Sequence, residues 1–194
     1  MDTPIPDETL VVALQDGDDA AFDELLARYK RPVINFIYRM LNDAASAEDV
    51  AQEVFVKVYR NIHRFKPGKD RRFSTWLFQI ARNQTLDTIR HRRRRPLEFN
   101  DWSAEENAII TATQPAPDVC LVREEQRAAV ARAIQQLPEK QRTALLLTVY
   151  HELSQAEIAA VMGCTARAVE SHLARARKQL RTNPVISTWI DKND

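Results

Sequence analysis

Leu153 to Arg181 reads LSQAEIAAVMGCTARAVESHLARARKQLR, and this stretch decides the fold. Ser154 followed by Glu157 is a capping box, in which hydroxyl and carboxylate each satisfy a free backbone N–H at a helix start. Ile158, Val161 and Met162 give a short apolar face, and Gly163 stands where that helix must stop in a left-handed conformation. Thr165 caps a second helix, on which Val169, Leu173, Ala176 and Leu180 recur at three- and four-residue spacing. The same spacing collects Arg167, Glu170, Ser171, Arg175 and Lys178 on the opposite, solvent-facing side. A short helix, a glycine turn and a second helix with a cation-rich outer face read as a helix-turn-helix that holds DNA. An ordinary helical hairpin is the bland alternative; small Ala159 and Gly163 favour the close crossing that a hairpin does not need.

Outward from this stretch, the 194 residues contain only three glycines, and apolar residues return at helical spacing in segment after segment. The expected fold class is all-α, and the length suits one large helical domain or two small ones. Net charge is +1, so the distribution of charge and not its sum must point to partners. No apolar run approaches a membrane span, and the acidic start MDTPIPDETL has no signal-peptide core, so a cytoplasmic protein without membrane insertion is expected. Cys120 and Cys164 lack metal-ligand spacing and read as packing residues, with redox sensing as the sharper alternative. His63, His91, His151 and His172 are scattered singly, no glycine-rich phosphate loop exists, and the adjacent acids Glu48-Asp49 and Glu105-Glu106 diverge on a helix. No metal, no cofactor and no catalytic residues are expected, and the chain is not read as an enzyme.

The N-terminal half carries its own pattern. Thr9 to Leu14 is a short helical candidate, Asp18-Asp19 caps the next helix, and Phe22, Leu25, Leu26 and Tyr29 form its core face. Pro32 is expected to restart a helix that is apolar on most of its surface. Ser46 to Phe65 is a long amphipathic helix with Val50, Val54, Val58 and Ile62 inward and Asp49, Gln52, Glu53 and Lys57 outward. Beyond the turn KPGKD, Ser74 caps a helix that buries Leu77, Ile80, Ala81 and Ile89. From Arg64 to Arg95 the cations are opposed only by Asp70 and Asp87, and Phe65, Phe73, Trp76 and Phe78 are interleaved with them. Cations grip phosphates and an aromatic face receives an unstacked base, so this segment is a nucleic-acid candidate, with Phe78 and part of Trp76 given to the core. Pro96 to Asp118, with three prolines and no sustained apolar period, reads as the linker. Val119 to Leu137 is helical, and Pro138 starts another helix whose Ala144, Leu145, Leu147 and Val149 bury against the helix-turn-helix.

The order of DVAQEVFVKVYRNI, FSTWLFQIARNQTLD with a basic end, a proline linker, LPEKQRTALLL and the terminal helix-turn-helix closely resembles the bacterial sigma factors of the sigma-70 family, in the extracytoplasmic-function group. The resemblance covers roughly Ala20 to Arg181. It implies a sigma-2-like domain over 1–95, a linker over 96–118, a sigma-4-like domain over 119–182 and a C-terminal tail over 183–194. It also implies the work of a sigma factor in transcription initiation: binding core RNA polymerase, recognising promoter DNA at −35 and −10 elements, and nucleating melting in a stress response. Asp49, Gln52 and Glu53 match the surface that docks core polymerase. The stretch from Phe65 matches the part that opens the −10 element and holds a flipped base, with Phe65, Arg71, Arg72, Phe73, Ser74, Trp76, Arg82, Asn83 and Arg90 as its contacts. Arg167, Glu170, Ser171, Ala174, Arg175 and Lys178 match the reader of the −35 element, where Arg suits guanine and Glu accepts from cytosine. An anti-sigma factor is implied as a further partner. Many members carry Pro-x-Gly-Thr-Val where this chain has Thr165-Ala166-Arg167-Ala168-Val169, and Lys and Arg where it has Glu170 and His172. The rival readings are a stand-alone helix-turn-helix regulator, a recombinase or nuclease, and an RNA-binding helical module. Val185, Ile186, Trp189 and Ile190 in the tail are expected to form a short regulatory helix.

Overall fold

The computed structural model describes residues 5–68, 72–94, 128–151 and 153–183, and these are helical with short connections. Among them the helices are α1 (Asp7–Gln15), α2 (Asp19–Leu41), α3 (Ala44–Asn61), α4 (Phe73–Arg94), α5 (128–135), α6 (Glu139–His151), α7 (Gln155–Met162) and α8 (Ala166–Arg181), with a single 3-10 turn at Ile62–Arg64. The expected linker 96–118, Cys120 and the tail from Pro184 lie outside the described residues.

Local chemistry sets most boundaries. The Asp18 carboxylate accepts from the Ala20 N–H at 3.0 Å and starts α2. Asn42 then takes φ 56°, the left-handed conformation that asparagine tolerates better than most residues. Asp43 accepts from Ser46 N–H at 3.2 Å, so α3 opens two residues before the expected Ser46. Burial pushes the Asp43 carboxyl up, but the two Ser46 hydrogen bonds and the Arg92 guanidinium at 2.6 Å outweigh it and hold it below the usual carboxylate range. This pair pins the end of α4 to the start of α3.

Pro32 does not restart a helix: it lies inside the continuous α2. An interior proline removes one hydrogen bond and costs about 3 kcal/mol in isolation. Here α2 packs on α1, α3, α4 and α6, burying Leu25, Val33, Phe36, Ile37 and Met40 on both sides of the proline, and that burial outweighs the loss. Ser74 likewise lies within the first turn of α4 and does not cap it. The cap is tertiary, because the Glu8 carboxylate of α1 accepts from the Phe73 N–H at 3.4 Å. At the other end of α1, Gln15 donates to the carbonyls of Ile62 and Phe65, both at 2.7 Å, and so fixes the chain as it leaves α3.

α1 to α4 form one helical unit and α5 to α8 a second. The apolar core is continuous through both, because α6 lies against α2 and α7 against α4. Thr143, Ala144, Leu145, Leu146 and Leu147 are consecutive and all buried. Helix α6 is therefore covered on opposite sides, by α7 and α8 on one and α2 on the other. Val149, expected in this core, is 58 % exposed instead. A run of five consecutive buried residues gives no periodic signal for where along the helix the neighbours stop.

Candidate nucleic-acid and polymerase interfaces

The helix-turn-helix is built as its sequence indicates. Ser154 Oγ accepts from Glu157 N–H at 3.3 Å, and the Glu157 carboxylate accepts from Ser154 N–H at 2.8 Å, completing the capping box. Gly163 takes φ 63°, and Thr165 Oγ1 then accepts from Ala168 N–H at 3.2 Å to start α8. Val169, Leu173 and Ala176 are buried against α6 and α7. Arg167, Glu170, Ser171, Ala174, Arg175 and Lys178 all stand exposed on one outer face of α8. His172 is half-buried beside that face; burial, then the cations of Lys140 and Arg175, hold its imidazole below the usual histidine range.

The polymerase-docking candidates on α3 are exposed as a group: Asp49, Gln52 and Glu53. Glu53 is tied to α4, because Gln84 Nε2 donates to its carboxylate at 2.7 Å while Lys57 donates to Gln84 Oε1. Periodicity had given this face only polar members. Val56 and Tyr59, 47 % and 46 % exposed, extend it with apolar surface one turn further on, and Tyr59 is held edge-on against Phe22 at 5.1 Å. Position alone signals them, at four residues from Gln52 and seven from it.

The candidates for the −10 element separate into two groups. Phe65 and Phe73 are 5 % and 1 % exposed and belong to the core of the first unit. A ring this covered offers no face to a base; together the two carry Trp76, whose indole stacks on Phe65 at 5.0 Å and 28° and lies 6.1 Å from Phe73. Trp76 is only half-buried, as the sequence reading expected, and is the aromatic of this group that reaches the surface. Ser74 is half-buried near the Tyr29 hydroxyl, which burial and a hydrogen bond to Asp7 push far above the usual phenol range. Asn83 is exposed, and Arg90 is exposed and paired with Asp87 at 2.9 Å. Arg72 extends to Glu157 of α7 at 3.3 Å, and Arg71 lies outside the described residues. Arg82 is half-buried with its Nε unpaired; burial pushes its guanidinium down against the opposing pull of Glu139 and Cys164. No group of three or more potential metal-ligating side chains occurs among the described residues, and no described helix is long and apolar enough to cross a membrane.

A helical unit with an exposed carboxylate-amide face and a basic, aromatic helix, joined to a helix-turn-helix unit, is the arrangement of a two-domain transcription initiation factor. Residues 25–95 match Sigma-70 region 2, and residues 127–180 match Sigma-70, region 4. The chain is 38 % identical to the RNA polymerase sigma-H factor of Pseudomonas aeruginosa, over 90 % of this chain and 91 % of that one. It is 34 % identical to the ECF RNA polymerase sigma factor SigW of Bacillus subtilis, over 85 % and 89 %. It is 33 % identical to the ECF RNA polymerase sigma-E factor of Escherichia coli K12, over 96 % and 99 %. Among solved structures it is similar to CnrH in complex with the cytosolic domain of CnrY, at a TM-score of 0.68 and 27 % identity, covering 97 % of this chain and 99 % of that one. The fold is also that of the sigma factor RpoE bound to the anti-sigma factor NepR from Bartonella quintana, at a TM-score of 0.65 and 23 % identity, covering 82 % and 94 %. The chain belongs to the extracytoplasmic-function sigma factors of the sigma-70 family.

Proposed function

We propose that this sigma factor divides its work among three surfaces: α3 docks core RNA polymerase, α4 and the chain before it open the −10 element, and α8 reads the −35 element. The observation that carries this reading is the joint exposure of Asp49, Gln52 and Glu53 on α3 and of the six α8 side chains, on two units of one chain. Its conversion of core polymerase into a promoter-specific enzyme is binding work and not chemistry. In the docking step, the carboxylates and amide attract a basic partner helix, while Val56 and Tyr59 supply area to dehydrate.

At the −10 element, Trp76 is the side chain fitted to receive an extruded base. Phe65 behind it fixes the indole plane before DNA arrives, so less side-chain freedom is lost on stacking. Extrusion costs a few kcal/mol and stacking returns about 1–3 kcal/mol per base. Asn83 and Arg90 supply the polar contacts alongside. On α8, Arg167 sits in the first turn, where cation and free N–H groups favour phosphate. Glu170, Ser171, Ala174 and Arg175 face the base edges, and Lys178 the backbone. An anti-sigma factor is a further partner in this reading, supported by CnrH, which is 27 % identical to this chain and is solved in complex with the cytosolic domain of CnrY.

The test is run-off transcription with purified core polymerase on a genomic promoter library, with and without the protein. Specific start sites that vanish when Asp49 and Glu53 are both changed to Ala support the reading. Specific duplex binding that is independent of core polymerase would replace it with a stand-alone regulator.

A further inference from the structure

Three polar side chains of α1 are directed at the aromatic cluster around the start of α4. Gln15, the last residue of α1, uses its amide N–H groups on another segment, donating to the carbonyls of Ile62 and Phe65 at 2.7 Å each. The Ile62 carbonyl also accepts from the Phe65 N–H at 3.0 Å, so the turn that leaves α3 is tied twice at one oxygen. Phe65 follows with extended backbone, φ −75° and ψ 128°, and a covered ring. At the opposite end of α1, the Glu8 carboxylate accepts from the Phe73 N–H at 3.4 Å. Asp7 accepts from the Tyr29 hydroxyl, and the Tyr29 ring meets Phe73 edge-on at 5.5 Å. Arg28 donates to Asp7 at 2.9 Å and fixes that carboxylate in turn.

These bonds converge on the two rings that carry Trp76. Phe65 lies against the indole at 28°, Phe73 is tilted to it at 55°, and the two phenyl rings meet edge-on at 6.2 Å. Leu10, Val11 and Leu14 already bury the apolar face of α1 in the bundle, so the polar set is additional to what anchors the helix. Apolar packing is non-directional, whereas a hydrogen bond to a carbonyl or from an N–H constrains angle as well as distance. Gln15 therefore sets where the Phe65 backbone stands, and Glu8 does the same for Phe73. The plane on which the indole rests follows from those two positions.

We propose that Gln15 and Glu8 are positioning residues for base capture: α1 braces the Phe65 and Phe73 supports of Trp76 and holds the indole in its stacking orientation before DNA arrives. The proposal deepens the reading of Trp76 given above and rests on it. A stacked base gains most when the receiving ring is already held, because a side chain that must be immobilised on binding weakens association. Without the Gln15 donors the carbonyls of Ile62 and Phe65 lose their tie to α1, the Phe65 ring shifts, and the indole above it gains freedom. The cost falls on base stacking and spares the α8 face, which shares no residue with this cluster. The brace acts through the two phenylalanines, so Gln15 and Glu8 themselves make no DNA contact.

The experiment uses the full chain with Trp102 and Trp189 changed to Phe, so that tryptophan emission reports Trp76 alone. Gln15→Glu keeps the shape and removes the donors; Gln15→Lys restores a donor. Trp76 emission anisotropy is measured beside binding of a fluorescein-labelled single-stranded 20-mer of randomised sequence and of the matching duplex. The expected result for Gln15→Glu is lower Trp76 anisotropy, single-strand binding weakened about threefold to tenfold, and duplex binding by α8 unchanged. Gln15→Lys should recover most of both losses. Unchanged anisotropy and single-strand affinity in Gln15→Glu would overturn the proposal, and so would a Gln15→Lys variant no better than Gln15→Glu. Amide hydrogen exchange in the middle of α2 checks the fold. If Gln15→Glu loses protection there, Glu8→Ala, at the other end of the brace, decides by the same readouts. Trp76→Ala separates the two failures: if it leaves single-strand binding unchanged, the reading of Trp76 fails and takes the proposal with it. If it weakens binding while the Gln15 and Glu8 variants do not, the proposal alone fails.

Discussion

The imidazole of His151 lies 4.1 Å from the ring centre of Phe78, with its Nε2 buried and without a hydrogen-bond partner among the described residues. Burial, then the nearby Arg39 cation, pushes its pKa down to about 4, so the ring is neutral in the folded chain at ordinary pH. The unfolded ring takes up a proton near pH 6.5, and stability therefore falls as pH drops from about 6.5 towards 4 and levels off below it. The drop from 6.5 to about 4 corresponds to a loss on the order of 3 kcal/mol, at about 1.4 kcal/mol per pH unit. Urea unfolding between pH 4.5 and 7.5 should show this slope, and His151→Phe should flatten it. Asp43 and Glu157, held low in the folded chain, add a further loss only at still lower pH.

Trp76→Ala and Phe73→Ala should fail in different ways. Trp76 is half-exposed, so its loss should weaken binding of single-stranded −10 DNA by about 1–3 kcal/mol while duplex −35 binding by α8 is kept. Phe73 is 1 % exposed, and its loss should cost about 3–5 kcal/mol of fold stability. Denaturant midpoints measured beside oligonucleotide titrations separate the two. Equal destabilisation by both variants would contradict the division between surface indole and buried ring.

Gly163→Ala tests the turn of the helix-turn-helix. A Cβ there meets nothing within 4 Å, so the penalty is conformational and comes from φ +63° alone. A loss of about 1–2 kcal/mol is expected, and Gly163→Asn should recover part of it. Thr165→Ala, which removes the cap of α8, should cost about 1 kcal/mol. Thermal melts of the full chain decide both.

On α8, Lys178→Ala should lower the salt dependence of −35 duplex binding by about one unit of slope, uniformly across sequences. Glu170→Lys should instead change which base is preferred at one position, by about 1–3 kcal/mol. Binding measured at several salt concentrations on a set of single-base variants distinguishes phosphate contact from base reading.

The helix-turn-helix was legible in detail because its signals are local. A capping box, a left-handed glycine and a threonine cap act over three or four residues, and tertiary packing leaves them as they are. The inward stripe of α3 was legible for a related reason, since Val50, Val54 and Val58 share one face of a helix covered on one side only. The candidate site was less complete in the chain's text. Charge and aromatic content brought together Phe65, Phe73 and Trp76, but pattern cannot say which ring of a cluster covers the others. Tyr59 and Val56 were passed over because an exposed apolar side chain gives no periodic signal of its own.

What the sequence by itself determined is the all-α class, the family, the second helix of the helix-turn-helix with its outward polar face, and the outward carboxylate-amide face of α3. Each depends on residues within a few turns of one helix or on the order of motifs along the chain. Only the tertiary structure decided that α2 runs unbroken through Pro32, that Glu8 caps α4, that Phe73 is core, and that His151 closes a seam between the units. In each of these a contact far along the chain outweighs a local preference. The energy of burying Phe36, Phe78 and Leu146 depends on which helix lies opposite, and that partner is fixed only when the chain has folded.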